Sequence, residues 1–265
     1  MRGEQATTNS PQISIIIPVR NDAEALARTL DHLRHIAERE TAEVIVAAAG
    51  DQGGTEHAVA ERAHLLWPDG STRAILMNAG GARARAGVLL FLHADSFPPT
   101  QAIELIRQAL SDPHVVGGAF EHLFAEPVAS LRVITWLNRI RYRLTRNYYG
   151  DQGIFVRTAV FRQMGGYRSL QLMEDVDFTQ RLKKIGQTVL LRAALPTSGR
   201  RFLARGPWRT LLFIIWLLLL YSLGFDTQRY AERWRGPADR PPGSPWPCRR
   251  PHEGSSAERP PGPPG

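Results

Sequence analysis

Val88-Leu89-Leu90-Phe91-Leu92-His93-Ala94-Asp95 is an unbroken apolar run that stops on two polar side chains. Five apolar residues in succession cannot present one dry face and one wet face, so the run reads as a strand buried on both sides. Ile13-Ser14-Ile15-Ile16-Ile17-Pro18 and the stretch from Glu43 to Ala48 carry the same pattern. Between these two, Asn21-Asp22 can cap a helix with Leu26, Leu30, Leu33 and Ile36 at helical spacing. Buried strands alternating with amphipathic helices predict an α/β fold on a mixed, mainly parallel sheet flanked by helices.

Further elements follow from the same rules. A glycine-containing loop, Gly50 to Gly54, leads to a helix expected over Thr55 to Leu66. Arg73 to Met77 is expected as a strand and Gly80 to Ala86 as a short helix. Downstream, the expected elements are a helix over Gln101 to Leu110, an extended Val115 to Phe124 and a helix over Val128 to Leu144. A strand at Gly153 to Val156 and a helix from Glu174 to Ile185 complete the series.

Ligands of open α/β sheets bind outside the carboxyl ends of the strands, which selects the segments after Ile17, Ala48 and Leu92. His93 and Asp95, two apart on extended backbone, point the same way. An imidazole and a carboxylate can share a divalent cation whose other positions are filled by diphosphate oxygens. The same residues also suit a plain strand-end turn with an Asp cap. Met173-Glu174-Asp175-Val176-Asp177 places three acids at a helix start. They complement the helix dipole, and one of them could serve as a general base. Tyr149-Gly150-Asp151-Gln152-Gly153 is either an ordinary turn or a loop whose glycines admit close backbone approach to a ligand.

Taken in order, five segments resemble glycosyltransferase family 2, the inverting GT-A enzymes. They are Ser14 to Asp22, Met77-Asn78-Ala79-Gly80, Leu92-His93-Ala94-Asp95, Gly150-Asp151-Gln152 and Met173-Glu174-Asp175, and the likeness spans about Ile13 to Arg201. Within the family the chain is most similar to the bacterial subgroup called "transferase 2, rSAM/selenodomain-associated". The resemblance implies a GT-A fold and transfer of a sugar from a nucleotide-diphosphate donor to an acceptor hydroxyl. It implies Asp95 and His93 as ligands of a divalent metal, Mn2+ or Mg2+, and Asp175 as the catalytic base. Pro18, Asp22, Asp51, Asn78, His93 and Asp95 are the implied donor-side residues. Asp151, Gln152 and Glu174 are those of the acceptor side. The family's acidic nucleoside-binding loop is altered here: Ala48 and Gly53 stand where acids are usual. A GT-A domain impaired in donor binding, acting as a binding or scaffold protein, is therefore the alternative.

The net charge of +8 and pI near 10.3 favour an anionic partner. Five arginines and no acid lie between Pro127 and Gly150, interleaved with Leu131, Ile134, Leu137 and Ile140. Such a helix is a solvated basic face or a seat on anionic lipid. Nucleic acid would use the same charge, but no recognised nucleic-acid module accompanies it, and none is expected as a partner. Thr210 to Gly224 is nearly continuous in Leu, Ile, Phe and Trp, yet too short to cross a bilayer as a helix. It suits a membrane surface, and with it a lipid-linked acceptor. Cys248 is the single cysteine, and no apolar signal precedes Ile13, so a cytoplasmic protein peripheral to the inner face of the cell membrane is expected. The expected organisation is a flexible segment 1–12, a GT-A domain 13–202, an apolar segment 203–235 and a disordered tail 236–265, half of it Pro or Gly.

Overall fold

The computed structural model describes residues 11–37 and 42–234. Its centre is a seven-stranded sheet in the order β3-β2-β1-β4-β6-β5-β7. The strands are β1 (Ile13–Arg20), β2 (Ala42–Ala49), β3 (His64–Leu66), β4 (Val88–Phe91), β5 (Val115–Phe124), β6 (Ile154–Arg157) and β7 (Gln187–Thr197). β1 pairs in parallel with β2 and β4, β2 with β3, and β5 with β7. β6 is antiparallel to both its neighbours. The other six strands thus run one way, and their carboxyl ends share one edge with the start of β6.

The apolar strands are buried on both faces because alternate side chains enter two separate cores. Ile15, Ile17, Val46 and Leu90 pack on one side, and Ile16, Ile45, Leu89 and Phe91 on the other. Helices α1 (Ala23–Ala37), α2 (Gln52–Val59) and α4 (Ala102–Ala109) cover the first face. Helices α3 (Arg73–Arg83), α6 (Thr158–Gln163) and α7 (Glu174–Leu182) cover the second. One buried polar knot ties three segments together. Glu43 accepts hydrogen bonds from Ser14 Oγ at 2.5 Å, Arg85 N at 2.7 Å and Arg85 Nε at 2.9 Å.

Two expectations are corrected. Arg73 to Met77 is the first half of α3, not a strand, since Thr72 caps it by accepting from Ile75 N. Its buried residues Ala74, Met77, Gly80 and Gly81 follow helical spacing, and Ala, Leu, Met and Arg all favour helix. The helix expected over Thr55 to Leu66 is instead α2, starting at Gln52, followed by a break at Ala60 (φ 41°) and the edge strand β3. β7 and α6 had no expected counterpart. β7 is a half-buried edge strand with a bulge and Pro196, so its alternation is weak.

Beyond β7 the chain forms α8 (Arg200–Arg205), the apolar helix α9 (Pro207–Ser222) and the short α10 (Ala231–Trp234). α9 packs beside α5 (Ala129–Thr145). No helix among the described residues is long and apolar enough to cross a membrane. The expected tail, 236–265, and segment 1–12 up to residue 10 lie outside the described residues.

Candidate active site

The shared strand edge opens into a cleft of about 310 Å3. Pro18 and Asp22 enter from the end of β1, His93 and Asp95 from the end of β4, and Asp151 from the turn before β6. Glu174 enters from the start of α7, opposite these. The reversed direction of β6 is what brings the 3-10 turn Gly150–Gln152 to this edge.

His93 Nδ1 lies 4.0 Å from Asp95 Oδ1. Burial, with Arg73, Arg201 and His122 nearby, holds His93 well below the ordinary imidazole range. The ring is therefore neutral near pH 7, with a lone pair available. Burial pushes Asp95 above the usual carboxylate range, Asp22 adds to this, and Arg200 and Arg201 oppose it. Arg200 pairs with Asp22 and reaches within 3.6 Å of Asp95 Oδ2.

No group of three or more His, Cys, Asp or Glu among the described residues could hold a metal alone. His93 and Asp95 nevertheless fit a divalent ion that takes its remaining ligands from a diphosphate and water. The imidazole is neutral and both side chains line the cleft.

Asp175, the expected base, stands behind Glu174 and is not itself among the residues that line the cleft. Its Oδ2 accepts from Gly150 N at 2.7 Å and its Oδ1 from Val176 N at 2.8 Å. Burial raises its proton affinity; Arg73 and these backbone donors oppose it, and Asp151 reinforces it. Gly150 is where the two halves meet, because a Cβ there would stand 2.9 Å from His93 Nε2. The third acid of the triplet, Asp177, is buried between Arg168 and Arg181 and supports the helix start.

Three expected ligands are engaged elsewhere. Asn78 is fastened to Tyr167, donating to its carbonyl and accepting from its N–H, both at 2.8 Å. Asp51 caps α2 by accepting from Gly54 N. Gln152 is buried, accepting from Tyr149 N and donating to the Phe120 carbonyl. Ala48 is 1% exposed within the core, whereas a Cβ on Gly53 would meet nothing within 4 Å. The cleft also contains Arg200, and sequence reasoning missed two residues here: Arg73 in its lining and His122 beneath Asp151. His122 Nε2 lies 3.4 Å from Asp151 Oδ2. Arg73 was hidden by the strand assignment, and His122 by its place within an apolar strand.

This strand order, with its ligand cleft at one edge, defines a GT-A-type α/β protein. The chain belongs to glycosyl transferase family 2, whose model matches residues 14–165. Glu174, Asp175 and Arg200 lie past that span. No curated protein matches the chain by sequence. Among solved structures it is similar to S. aureus TarS 1-349, at 17% identity and a TM-score of 0.54, covering 72% of this chain and 61% of that one. The chain thus spans under two thirds of that protein. Mannosyl-3-phosphoglycerate synthase from Rubrobacter xylanophilus is similar at 17% identity and 0.54, covering 89% and 79%. Glucosyl-3-phosphoglycerate synthase from Mycobacterium tuberculosis, in complex with Mn2+, UDP and glucosyl-3-phosphoglycerate, gives 14% identity and 0.54, covering 82% and 81%.

Proposed function

We propose that the chain is an inverting glycosyltransferase that moves a sugar from a nucleoside-diphosphate donor to an acceptor hydroxyl. The observation that carries this is that His93, Asp95 and Glu174 line one cleft of a family-2 fold, with Asp175 held behind Glu174 by the Gly150 N–H. Asp175 takes the proton of the acceptor hydroxyl. The acceptor oxygen bonds to the anomeric carbon as the bond to the diphosphate breaks from the opposite face, and the electron pair leaves with the diphosphate. Inversion follows from that single displacement. Asp22, Pro18 and Asp95 line the donor side, and Asp151 and Glu174 the acceptor side. A divalent ion, Mn2+ or Mg2+, would be held by His93 and Asp95 and would supply positive charge to the diphosphate. The Mn2+ and UDP bound in the mycobacterial neighbour support this choice of donor and ion.

The acceptor is lipid-linked and the protein peripheral to the inner face of the cell membrane. The support is a stripe on α9: Trp208, Leu212, Ile215, Leu219 and Leu223 recur at helical spacing and are exposed. Exposed Arg209 and Arg229 stand near its two ends.

The test is a panel of UDP- and GDP-sugars with Mn2+, read by binding and by mass spectrometry of products. Transfer from one donor is the expected result, and no binding to any donor sinks the reading. That second outcome would favour a scaffold protein, for which buried Ala48 and side-chain-free Gly53 are the supporting observations.

A further inference from the structure

One guanidinium at the centre of the cleft has no part in the transfer step. Arg73 is the first residue of α3, set there by the Thr72 cap. Its Nε lies 3.8 Å from Glu174 Oε1 and is buried without a hydrogen-bond partner among the described residues. Its Nη2 lies against Gly150, where a Cβ would stand 2.0 Å from it. The Gly150 N–H in turn donates to Asp175 Oδ2. Three elements, α3, the 150–152 turn and α7, therefore converge on one side-chain tip.

We infer that Arg73 is a positioning residue that holds the Gly150 turn against α7 and sets its positive charge against the Glu174–Asp175 pair at the back of the cleft. Adjacent carboxylates with Asp151 close by repel one another, and a cation among them favours their charged forms. Glycine at 150 leaves the room in which the guanidinium lies. The inference rests on Asp175 being the base. The other titratable groups facing Asp175 are Asp151 and Tyr149 from the turn, Tyr167 from the loop before α7, Glu174 beside it and Tyr221 from α9.

The test is a carbon-13 NMR titration of the full chain labelled at aspartate carboxyls, with the Asp175 signal assigned by its loss in Asp175→Asn. Arg73→Gln should move the Asp175 midpoint to higher pH, and Arg73→Lys should restore it towards wild type. Gly150→Ala keeps the arginine but displaces its tip, so it should shift the midpoint the same way. It should add little in combination with Arg73→Gln. Unmoved midpoints in folded Arg73→Gln and Gly150→Ala overturn the inference; if Arg73→Gln does not fold, Gly150→Ala decides. Transfer measured with the donor found in the panel separates the two readings. Full turnover by Asp175→Asn removes the base and this inference together. An inactive Asp175→Asn with unmoved midpoints removes the inference alone.

Discussion

Arg200 and Asp95 stand 3.6 Å apart in the cleft, with the same guanidinium also paired to Asp22. In the ligand-free protein this places a fixed positive charge beside the carboxylate that a divalent ion would use. Arg200→Gln should therefore tighten Mn2+ binding in the absence of donor, by about two- to fivefold, the range of exposed ion pairs. It should weaken binding of the nucleoside diphosphate, which loses a cation. Isothermal titration with Mn2+ alone and then with UDP reads both signs.

Asp175→Asn and Asp95→Ala should fail differently. The first removes the proton acceptor and should lower kcat by about 10²–10⁴-fold while donor affinity stays near wild type. The second should lose metal-dependent donor binding itself. Equal donor affinity in wild type and Asp95→Ala would contradict the metal role.

The pH profile follows from the burial of Asp175. Its raised proton affinity means that the base is protonated at a higher pH than an ordinary carboxylate. The acidic limb of kcat should then lie above the usual carboxylate range, with activity falling as pH falls through it. A limb in the ordinary range would show that another group limits the rate.

Glu43 makes the opposite case. Burial pushes its carboxyl up, but bonds from Ser14 and Arg85 outweigh this and hold it below its ordinary value. A depressed folded-state value gives stability that is present above the unfolded value and is lost as pH falls through the folded one. Glu43→Ala should cost on the order of 2–3 kcal/mol at neutral pH, by removing the acceptor of the buried Ser14 hydroxyl and of the Arg85 backbone N–H. Urea unfolding at pH 7 and at pH 3 should show the difference between variant and wild type shrinking at the lower pH.

Leu212→Asp combined with Leu219→Asp should weaken attachment to vesicles containing phosphatidylglycerol by roughly 100-fold, from two lost apolar insertions. Flotation assays measure this. Undiminished flotation would detach α9 from the membrane.

The sheet was legible in the sequence where strands are buried on both faces, as in Ile13 to Ile17 and Val88 to Leu92, because apolar runs of about five residues that end on turn or polar residues are too short for a buried helix. It was poorly legible at the edges. His64–Leu66 has three residues and an exposed histidine, and Gln187–Thr197 is only half buried. At the site, His93 and Asp95 could be placed from their position after a strand and Glu174 from a helix start, whereas Asp151, in the turn before β6, came from the family resemblance alone. Arg73 could not, because the short apolar run Ala74 to Met77 reads as a strand when its helix-favouring residues and the Thr72 cap are overlooked. Asn78 and Gln152 show the converse limit. Order along the chain suggested ligands, while hydrogen bonds to Tyr167 and Phe120 give both side chains structural work.

The two missing acids of the nucleoside loop differ in whether a single substitution could reinstate them. An aspartate returned at position 53 enters open space and disturbs no neighbour. One returned at position 48 would carry an unpaired charge into the core that holds Val19 and Val46, at a cost of several kcal/mol. An acidic loop can thus be built at one position and is barred at the other. A gain of donor affinity by directed evolution should begin at Gly53.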